Sequence, residues 1–144
     1  MSIEIKVLRA GDEAVLTNVR PDVFDQAVDP RATREFLADP RHHIAVAIED
    51  GVVVGFASGV HYVHPDKPRP ELWVNEIAVA PTHRGRGLGK ALLNALLQVG
   101  RELGCAEAWV LTERTNVAAM GLYGSSGGSE GSYDPVMFTF RFGE

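Results

Sequence analysis

The sequence predicts a single α/β domain in which helices lie on both faces of a mixed sheet. Short β-rich segments alternate with helical segments along the chain, which is the pattern of such a fold. An Asp50-Gly51 pair between two β-rich runs predicts a hairpin, and a glycine-rich turn leads from a strand straight into a helix. With 144 residues, 45% hydrophobic and 23% charged, the composition fits one domain spanning residues 1–144.

The first half of the chain begins with a strand and continues into helices. Residues 3–7 alternate aliphatic and charged side chains, the period of a half-buried strand. Asp12 is placed to cap a helix that begins at Glu13, and Asp29-Pro30 is typical of the start of a helix ending at Ala38. The runs 43–48 and 52–57 are the two strands of the predicted hairpin.

The second half predicts two further helices and three further strands. Residues 61–70 hold three prolines and are expected to form a loop. Gly104 is expected to end the helix that follows the glycine turn, and the Gly/Ser-rich stretch 124–131 to form a loop. The expected strands are 72–79, 108–111 and 136–142, and the expected helices are 90–103 and 116–123.

Charge and composition exclude several classes of protein. The formal net charge of −5 argues against a nucleic-acid-binding protein, which would need a basic face. Cys105, the single cysteine, cannot form an internal disulfide, and no run approaches the length of a membrane span or a signal peptide. We therefore expect a cytoplasmic protein that contacts no membrane and no nucleic acid.

The glycine turn at residues 84–89 predicts an anion site. Its backbone N–H groups and the positive end of the following helix dipole would face the same ligand, and Arg84, Arg86, Lys90 and His83 supply cations nearby. Phosphate is the natural ligand for such a turn. The alternative is a basic loop whose glycines serve only the tight turn.

Two familiar phosphate-binding motifs do not match this turn. A P-loop has four residues between its first glycine and the Gly-Lys-Ser/Thr, whereas three separate Gly85 from Gly89 and no hydroxyl residue follows Lys90. The dinucleotide-binding fingerprint would require glycine at position 90. Neither ATP hydrolysis nor NAD binding is favoured.

The turn Arg84-Gly85-Arg86-Gly87-Leu88-Gly89 has the Arg/Gln-x-x-Gly-x-Gly/Ala signature of the GNAT superfamily of N-acetyltransferases, which the chain resembles. The resemblance includes residues 75–81, 111–112 and 116–123. It implies a mixed, mainly antiparallel central sheet flanked by helices and an N-acetyltransferase activity. Residues 24–36, 64–75 and 109–112 are most similar to aminoglycoside 3-N-acetyltransferases, which implies transfer to the 3-amino group. One departure is Gly128, where an aromatic residue is usual.

The resemblance also implies acetyl-coenzyme A as co-substrate, with no metal. Its pyrophosphate would bind the N–H groups of the turn, and its pantetheine arm would lie along the preceding strand. Asn116 would steady the arm, or would simply cap its helix. The expected cofactor residues are Ile77, Ala78, Val79, Arg84, Gly85, Arg86, Gly87, Leu88, Gly89, Lys90, Asn116 and Tyr123.

Acetyl transfer needs a base for the amine and an acid for the departing thiolate. Tyr123 stands at the family's position for the acid, although a packing tyrosine would suit the same helix. Glu76 lies within an apolar strand, where an unpaired carboxylate is costly to bury, so we expect it to face a cleft and act as base. The alternative is a solvent-facing or arginine-paired carboxylate.

Five acidic residues are candidates for contact with a small cationic amine substrate, and we expect two of them to make it. The i and i+3 spacing of His61 and His64 resembles a metal motif, but a loop without metal is expected because the chain offers no further cluster. The acidic candidates are Asp22, Asp25, Asp29, Glu71 and Asp134.

Other functions remain open at this point. The acceptor could instead be a polyamine, an amino acid, or a peptide α-amine or lysine. In a different class, the chain could be a non-catalytic acetyl-coenzyme A sensor, although a sensor needs neither Tyr123 nor Glu76. The apolar face of residues 137–142 is compatible with a homodimer.

Overall fold

A computed structural model describes residues 2–132 and 134–143. It contains five strands and three α-helices, together with two short 3₁₀ helices at Glu13–Thr17 and Pro81–His83. The strands are β1 (Glu4–Val7), β2 (His42–Glu49), β3 (Val52–Tyr62), β4 (Glu71–Val79) and β5 (Glu107–Trp109). The helices are α1 (Pro30–Ala38), α2 (Leu88–Glu102) and α3 (Val117–Ser125).

The strands form one sheet in the order β1-β2-β3-β4-β5. Every neighbouring pair is antiparallel except β4 and β5, which run parallel. The predicted mixed, mainly antiparallel sheet is therefore confirmed. The parallel pairing is short, because only residues 71–73 of β4 meet residues 107–109 of β5.

Helices cover the two faces of the sheet unequally. On one face α2 packs over the central strands, and its residues Leu92 and Leu96 are fully buried between the helix and the sheet. On the other face α1 packs against β2, and Phe24 stacks on Phe56 of β3 with ring centroids 4.1 Å apart. Glu76, paired with Ser58, points toward this second face.

A β-bulge in β4 changes which residues face α2. Val74 is paired with Gly59 and Glu76 with Ser58, so Asn75 is an extra residue in β4. Val74 is buried on the α2 side, where a Cβ on its partner Gly59 would lie 3.3 Å from Leu96. Because side chains alternate along a strand, the extra residue moves Glu76 to the opposite face.

Most predicted elements are confirmed, with shifts at their ends. Asp29 caps α1 as expected, since its Oδ2 accepts a hydrogen bond from Ala32 N at 2.9 Å. The predicted helix after Asp12 is instead a 3₁₀ turn, and the Asp12 carboxylate accepts from Arg9 N rather than capping it. The predicted loop at 61–70 is shorter, because β3 extends through Tyr62.

The predicted strand at residues 136–142 is wrong. The segment has no regular structure, and its large apolar residues are exposed: Val136, Met137, Phe138, Phe140 and Phe142. An alternating pattern indicates which side chains would share a face, but a strand also needs a neighbouring strand to bond with. The structure pairs no strand with this segment.

None of the helices in the described part of the chain is both long enough and apolar enough to cross a membrane.

Candidate active site

The glycine turn lies at the N-terminus of α2, with its open side toward solvent. Gly85 and Gly87 have φ values of +78° and +77°, a backbone region that favours glycine. A Cβ built at either position would have no heavy atom within 4 Å. The N–H groups of the first helical turn have no partner within the helix, so they remain available to a ligand. The turn therefore has the form of an anion site.

A buried histidine anchors this turn to the sheet. His83 Nε2 and Glu49 Oε1 are 2.8 Å apart, and His83 Nδ1 lies 2.8 Å from Thr82 Oγ1. The hydrogen bond from His83 holds the pKa of Glu49 below its usual value. Both ring nitrogens are thus engaged inside the protein, so the expectation that His83 adds a cation to the anion site is wrong. Sequence reasoning missed Glu49 because it lies 34 residues away.

Three exposed cationic side chains surround the turn. Arg84 Nε donates to Val79 O at 3.3 Å, and Lys90 Nζ donates to Ser125 O at 3.1 Å. Arg86 lies 3.9 Å from the second carboxylate oxygen of Glu49. These contacts are exposed and individually weak, so an incoming phosphate could replace them at small cost.

The backbone of β4 has an unpaired edge beside this turn. Residues 77–79 pair with residues 55–57 of β3 on one side. On the other side the pairing with β5 has already ended at Trp73, and no described strand follows it. The free N–H and C=O groups of this edge can bond an extended chain in the manner of an added strand.

Glu76 lies on the face opposite α2, where the bulge directs it. Its side chain is exposed enough to meet a ligand, yet partial burial raises the pKa of the carboxyl, and the negative charge of Asp25 raises it further. The structure thus places Glu76 and Asp25 close enough to interact. A carboxylate with a raised pKa is a better proton acceptor than an ordinary one.

A cavity of about 710 Å³ lies between the first 3₁₀ helix and α1. Asp22 and Asp25 line it together with Glu13, which sequence reasoning did not single out. The stack of Phe24 on Phe56 fixes this segment against the sheet. The lining combines apolar side chains with these three carboxylates and with two arginines, Arg20 and Arg34.

The other predicted acidic contacts lie elsewhere. The Asp29 carboxylate is occupied as the cap of α1. Glu71, at the start of β4, accepts a hydrogen bond from the Tyr62 hydroxyl at 3.0 Å and lies 3.5 Å from His64. Asp134 lies in the C-terminal segment, where its negative charge helps to raise the pKa of Arg114. The structure does not bring the predicted set into one pocket.

Tyr123 belongs to α3, which packs beside the start of α2. A Cβ on Gly89 would lie 3.6 Å from Leu122, which shows how closely the two helices approach. Burial raises the pKa of the Tyr123 phenol, which favours its protonated form. Asn116 caps α3, with its Oδ1 accepting from Ala119 N at 3.0 Å, so its side chain is used within the helix.

The glycine at position 128 has a structural reason. Its N–H donates to the carbonyl of Tyr123 at 2.9 Å, and a Cβ there would lie 2.9 Å from that same oxygen. Any other residue would force the chain away from the end of α3. The departure noted in the sequence thus accompanies a tight turn immediately after Tyr123.

The histidines do not form a metal site. His61 lies in β3, and its Nδ1 is 2.7 Å from Nε2 of His43. Burial lowers the pKa of His43 to about 4, so the His43 ring is neutral at physiological pH. In residues 2–132 and 134–143, no group of three or more histidine, cysteine or acidic side chains is placed to hold a metal ion.

Comparison with known families and sequences gives a consistent result. The profile of the Acetyltransferase (GNAT) family matches residues 13–127. N-acetyltransferase 8B of Rattus norvegicus is 31% identical over 106 residues, covering 73% of this chain and 48% of the relative. N-alpha-acetyltransferase RimI of Mycobacterium tuberculosis is 37% identical over 105 residues, covering 73% of this chain and 63% of the relative. The chain thus spans about half the length of the curated relatives it matches.

Solved structures share the fold. The aminoglycoside acetyltransferase AAC(6')-Iy, in complex with the bisubstrate analogue CoA-S-monomethyl-acetylneamine, superposes with a TM-score of 0.78 at 22% identity. The match covers 99% of this chain and all of the other. At this identity the comparison concerns the arrangement of the strands and helices.

Proposed function

The chain belongs to the GNAT family of acetyltransferases, and we propose that it transfers the acetyl group of acetyl-coenzyme A to an amino group of an aminoglycoside. The observation that carries this proposal is the placement of two different sites on β4. An anion-binding turn follows its C-terminal end, and a carboxylate with a raised pKa projects from its middle. A phosphate-bearing donor and a cationic acceptor would therefore meet at one strand.

The residues around the turn suit the pyrophosphate of acetyl-coenzyme A. First-turn N–H groups of α2 would bind its oxygens, with Arg84, Arg86 and Lys90 adding charge. The free edge of β4 at residues 77–79 would bond the amide groups of the pantetheine arm. The open space at Gly87 supports this fit, because a side chain there would occupy the ligand's position.

Glu76 would act as the general base. The acceptor amine arrives as an ammonium ion, and its nitrogen can attack only after it loses a proton. Glu76 takes that proton, directly or through one water molecule. The neighbouring Asp25 carboxylate attracts the cation and also raises the pKa of Glu76, so one residue serves both binding and proton transfer.

Tyr123 would act as the general acid. The amine nitrogen forms a bond to the thioester carbonyl carbon, the carbon–sulfur bond breaks, and the sulfur leaves with the electron pair. The Tyr123 hydroxyl donates its proton to that sulfur, and the nitrogen, which must lose a second proton to become an amide, returns a proton to the tyrosinate directly or through water. Because burial raises the pKa of this phenol, it retains its proton at neutral pH until the thiolate charge develops.

The electrostatics favour an acceptor with several positive charges. The chain carries a net charge of −5, and the lining of the cavity near Glu76 has three carboxylates, Asp22, Asp25 and Glu13, against two guanidinium groups, Arg20 and Arg34. Aminoglycosides carry several ammonium groups, and the similar fold of an aminoglycoside acetyltransferase supports this choice. Transfer to the 3-amino group, a homodimer and a cytoplasmic location stay predictions from the sequence.

A peptide α-amine is the second candidate acceptor. The 37% identity to a RimI N-alpha-acetyltransferase favours it. A peptide N-terminus brings one ammonium group at the reacting position, so it would use Glu76 but would gain less from the acidic wall of the cavity. The two candidates therefore differ in how much of the acidic surface contributes to binding.

A screen of thiol release from acetyl-coenzyme A against gentamicin, spermidine and a set of short peptides tests the proposal. We expect the largest kcat/KM for gentamicin and a loss of activity in Glu76→Gln, with Glu4→Gln as an exposed acidic control on β1. Faster turnover of a peptide than of gentamicin would identify the second candidate. Turnover of no amine by the correctly folded protein would favour the non-catalytic sensor.

A further inference from the structure

The only two tryptophans of the chain form a stacked pair at the edge of the sheet. Trp73 of β4 and Trp109 of β5 are directly paired in the parallel register. Their ring centroids are 5.5 Å apart, with 11° between the planes. Both indoles are only partly buried, and neither is among the described residues that build the hydrophobic core or pack against it. Core packing therefore does not account for this pair.

A hydrogen-bonded chain fixes the orientation of the pair. Trp109 Nε1 donates to the hydroxyl of Tyr62, which donates in turn to Glu71 Oε1 at 3.0 Å. The second oxygen of Glu71 lies 3.5 Å from His64 Nε2. The polar edge of the Trp109 indole is thereby satisfied within the protein. Trp109 therefore has only its apolar ring surface left to meet a ligand, and the tilt of that ring is set in advance.

The pair lies on the same side of the sheet as Glu76. Trp73 and Glu71 alternate with buried Leu72, so they point away from α2, and the bulge at Asn75 returns Glu76 to that face. Glu76 lies three positions after Trp73, which corresponds to a Cα separation of roughly 10 Å at most. The pairing of β4 with β5 ends at the two tryptophans, so Glu76 lies just beyond the point where the strands part.

The chemistry of this surface selects a cation. Indole faces attract ammonium groups through their negative electrostatic potential, more strongly than other aromatic rings do. Glu71 and Glu107 are paired with each other two residues before the tryptophans, on the same face of the sheet, and they add negative charge there. An anion or a purely apolar ligand would gain nothing from these carboxylates.

We propose that Trp73, Trp109 and Glu71 form a second subsite that binds another ammonium group of the acceptor while the reacting amine lies at Glu76. This inference rests on the proposed function and narrows it. The acceptor is then an amine with at least two positive charges, separated by roughly the 10 Å of strand between Trp73 and Glu76. Trp73 and Trp109 then determine which acceptor binds and take no part in the chemical step, because they do not touch the reacting atoms.

Intrinsic fluorescence tests the subsite directly, because every tryptophan of the chain lies in it. The wild-type protein is titrated with spermidine and with gentamicin in the absence of acetyl-coenzyme A. We expect a saturable change in tryptophan emission with both, and none with 1-butylamine, a single-charge control, at the same concentrations. Saturable binding of a polycation by calorimetry with unchanged emission would overturn the proposal.

Variants provide the kinetic test. A cation–π contact contributes about 0.5–2 kcal/mol, so Trp73→Leu and Trp109→Leu should raise the KM for a polycationic acceptor by roughly 2- to 30-fold. The KM for acetyl-coenzyme A and the kcat should change little. The phenylalanine variants keep an aromatic face and should retain most of the affinity. Equal KM values in the wild-type protein and the leucine variants would refute the subsite.

The outcomes separate this inference from the proposed function. If polycations are acetylated but the tryptophan variants bind them as well as the wild-type protein does, the subsite is wrong and acetyl transfer stands. If polycations change the tryptophan emission and no amine is acetylated, the subsite stands and the proposed transfer is wrong. The wild-type titration needs no variant to fold, so the test holds even if a leucine variant is unstable.

Discussion

The two ends of the candidate site are built in different ways. The anion turn is a contiguous stretch, residues 84–89, whose binding groups are mostly backbone N–H groups at a helix N-terminus. The acceptor side is assembled from side chains on separate elements, including Asp25, Trp73, Glu76 and Trp109. A contiguous motif made by the backbone can be recognised in a sequence. An assembled surface becomes visible only when the fold brings its members together.

The largest effect is expected at Tyr123, on the helix that packs beside the start of α2. Tyr123→Phe removes the proposed proton donor for the thiolate and should lower kcat by about 100-fold, within the usual range for general-acid catalysis. The KM values for both substrates should stay near those of the wild-type protein. Steady-state thiol release measures both constants. A wild-type kcat would show that the thiolate leaves without this hydroxyl.

The next effect concerns the backbone end alone. Gly87→Val places a side chain where the ligand would lie and should weaken acetyl-coenzyme A binding more than tenfold by calorimetry. Gly104→Val is a matched control, because Gly104 has φ +76° and equally open surroundings but lies after α2. Both variants carry the same backbone strain. An equal loss of affinity in both would mean that strain, rather than the anion site, causes it.

Ionic strength should have a smaller effect, and it should change the KM of the acceptor more than the KM of acetyl-coenzyme A. Raising the ionic strength from about 0.05 to about 0.5 M screens partly exposed charge pairs, so the KM for gentamicin should rise several-fold. The KM for acetyl-coenzyme A should rise less, because backbone N–H groups carry much of its binding. The ratio of the two KM values across a salt series is the measurement. A constant ratio would contradict the distinction between the ends.

The smallest effect is a shift in pH dependence. Asp25 raises the pKa of Glu76, so removing its charge lets Glu76 lose its proton at lower pH. The acidic limb of the kcat/KM profile should therefore move to lower pH in Asp25→Asn. Asp22→Asn, in the same cavity wall, should leave the limb in place. An unchanged acidic limb in Asp25→Asn would show that the Asp25 charge does not affect the pKa of the group that controls this limb.

The same contrast explains what the sequence could and could not predict. The hairpin at Asp50-Gly51, the Asp29 cap and the glycine turn are local patterns, and the structure confirms all three. The predicted strand at 136–142 is equally local in its alternation, yet it has no partner strand to pair with.

Contacts between distant residues had no signal in the sequence. Glu49 reaches His83 across 34 residues, and the Tyr62 hydroxyl meets Trp109 across 47. The acidic residues illustrate the same limit, since composition shows that they are numerous but does not show which of them share a wall. Asp22 and Asp25 line the cavity, whereas Asp29 caps a helix.

The single extra residue in β4 has a consequence for sequence comparison and engineering. If the bulge were lost and Asn75 paired with Ser58, Glu76 would pair with Ala57 and its side chain would move to the α2 face. If Asn75 were deleted instead, Glu76 would follow Val74 directly and would keep its pairing with Ser58. The face of the sheet on which a carboxylate lies thus depends on how many paired positions separate it from Val74, and not only on residue identity. An alignment gap placed one residue away would assign the base to the wrong column. A family member shorter by one residue here would need its carboxylate at a different place in the motif.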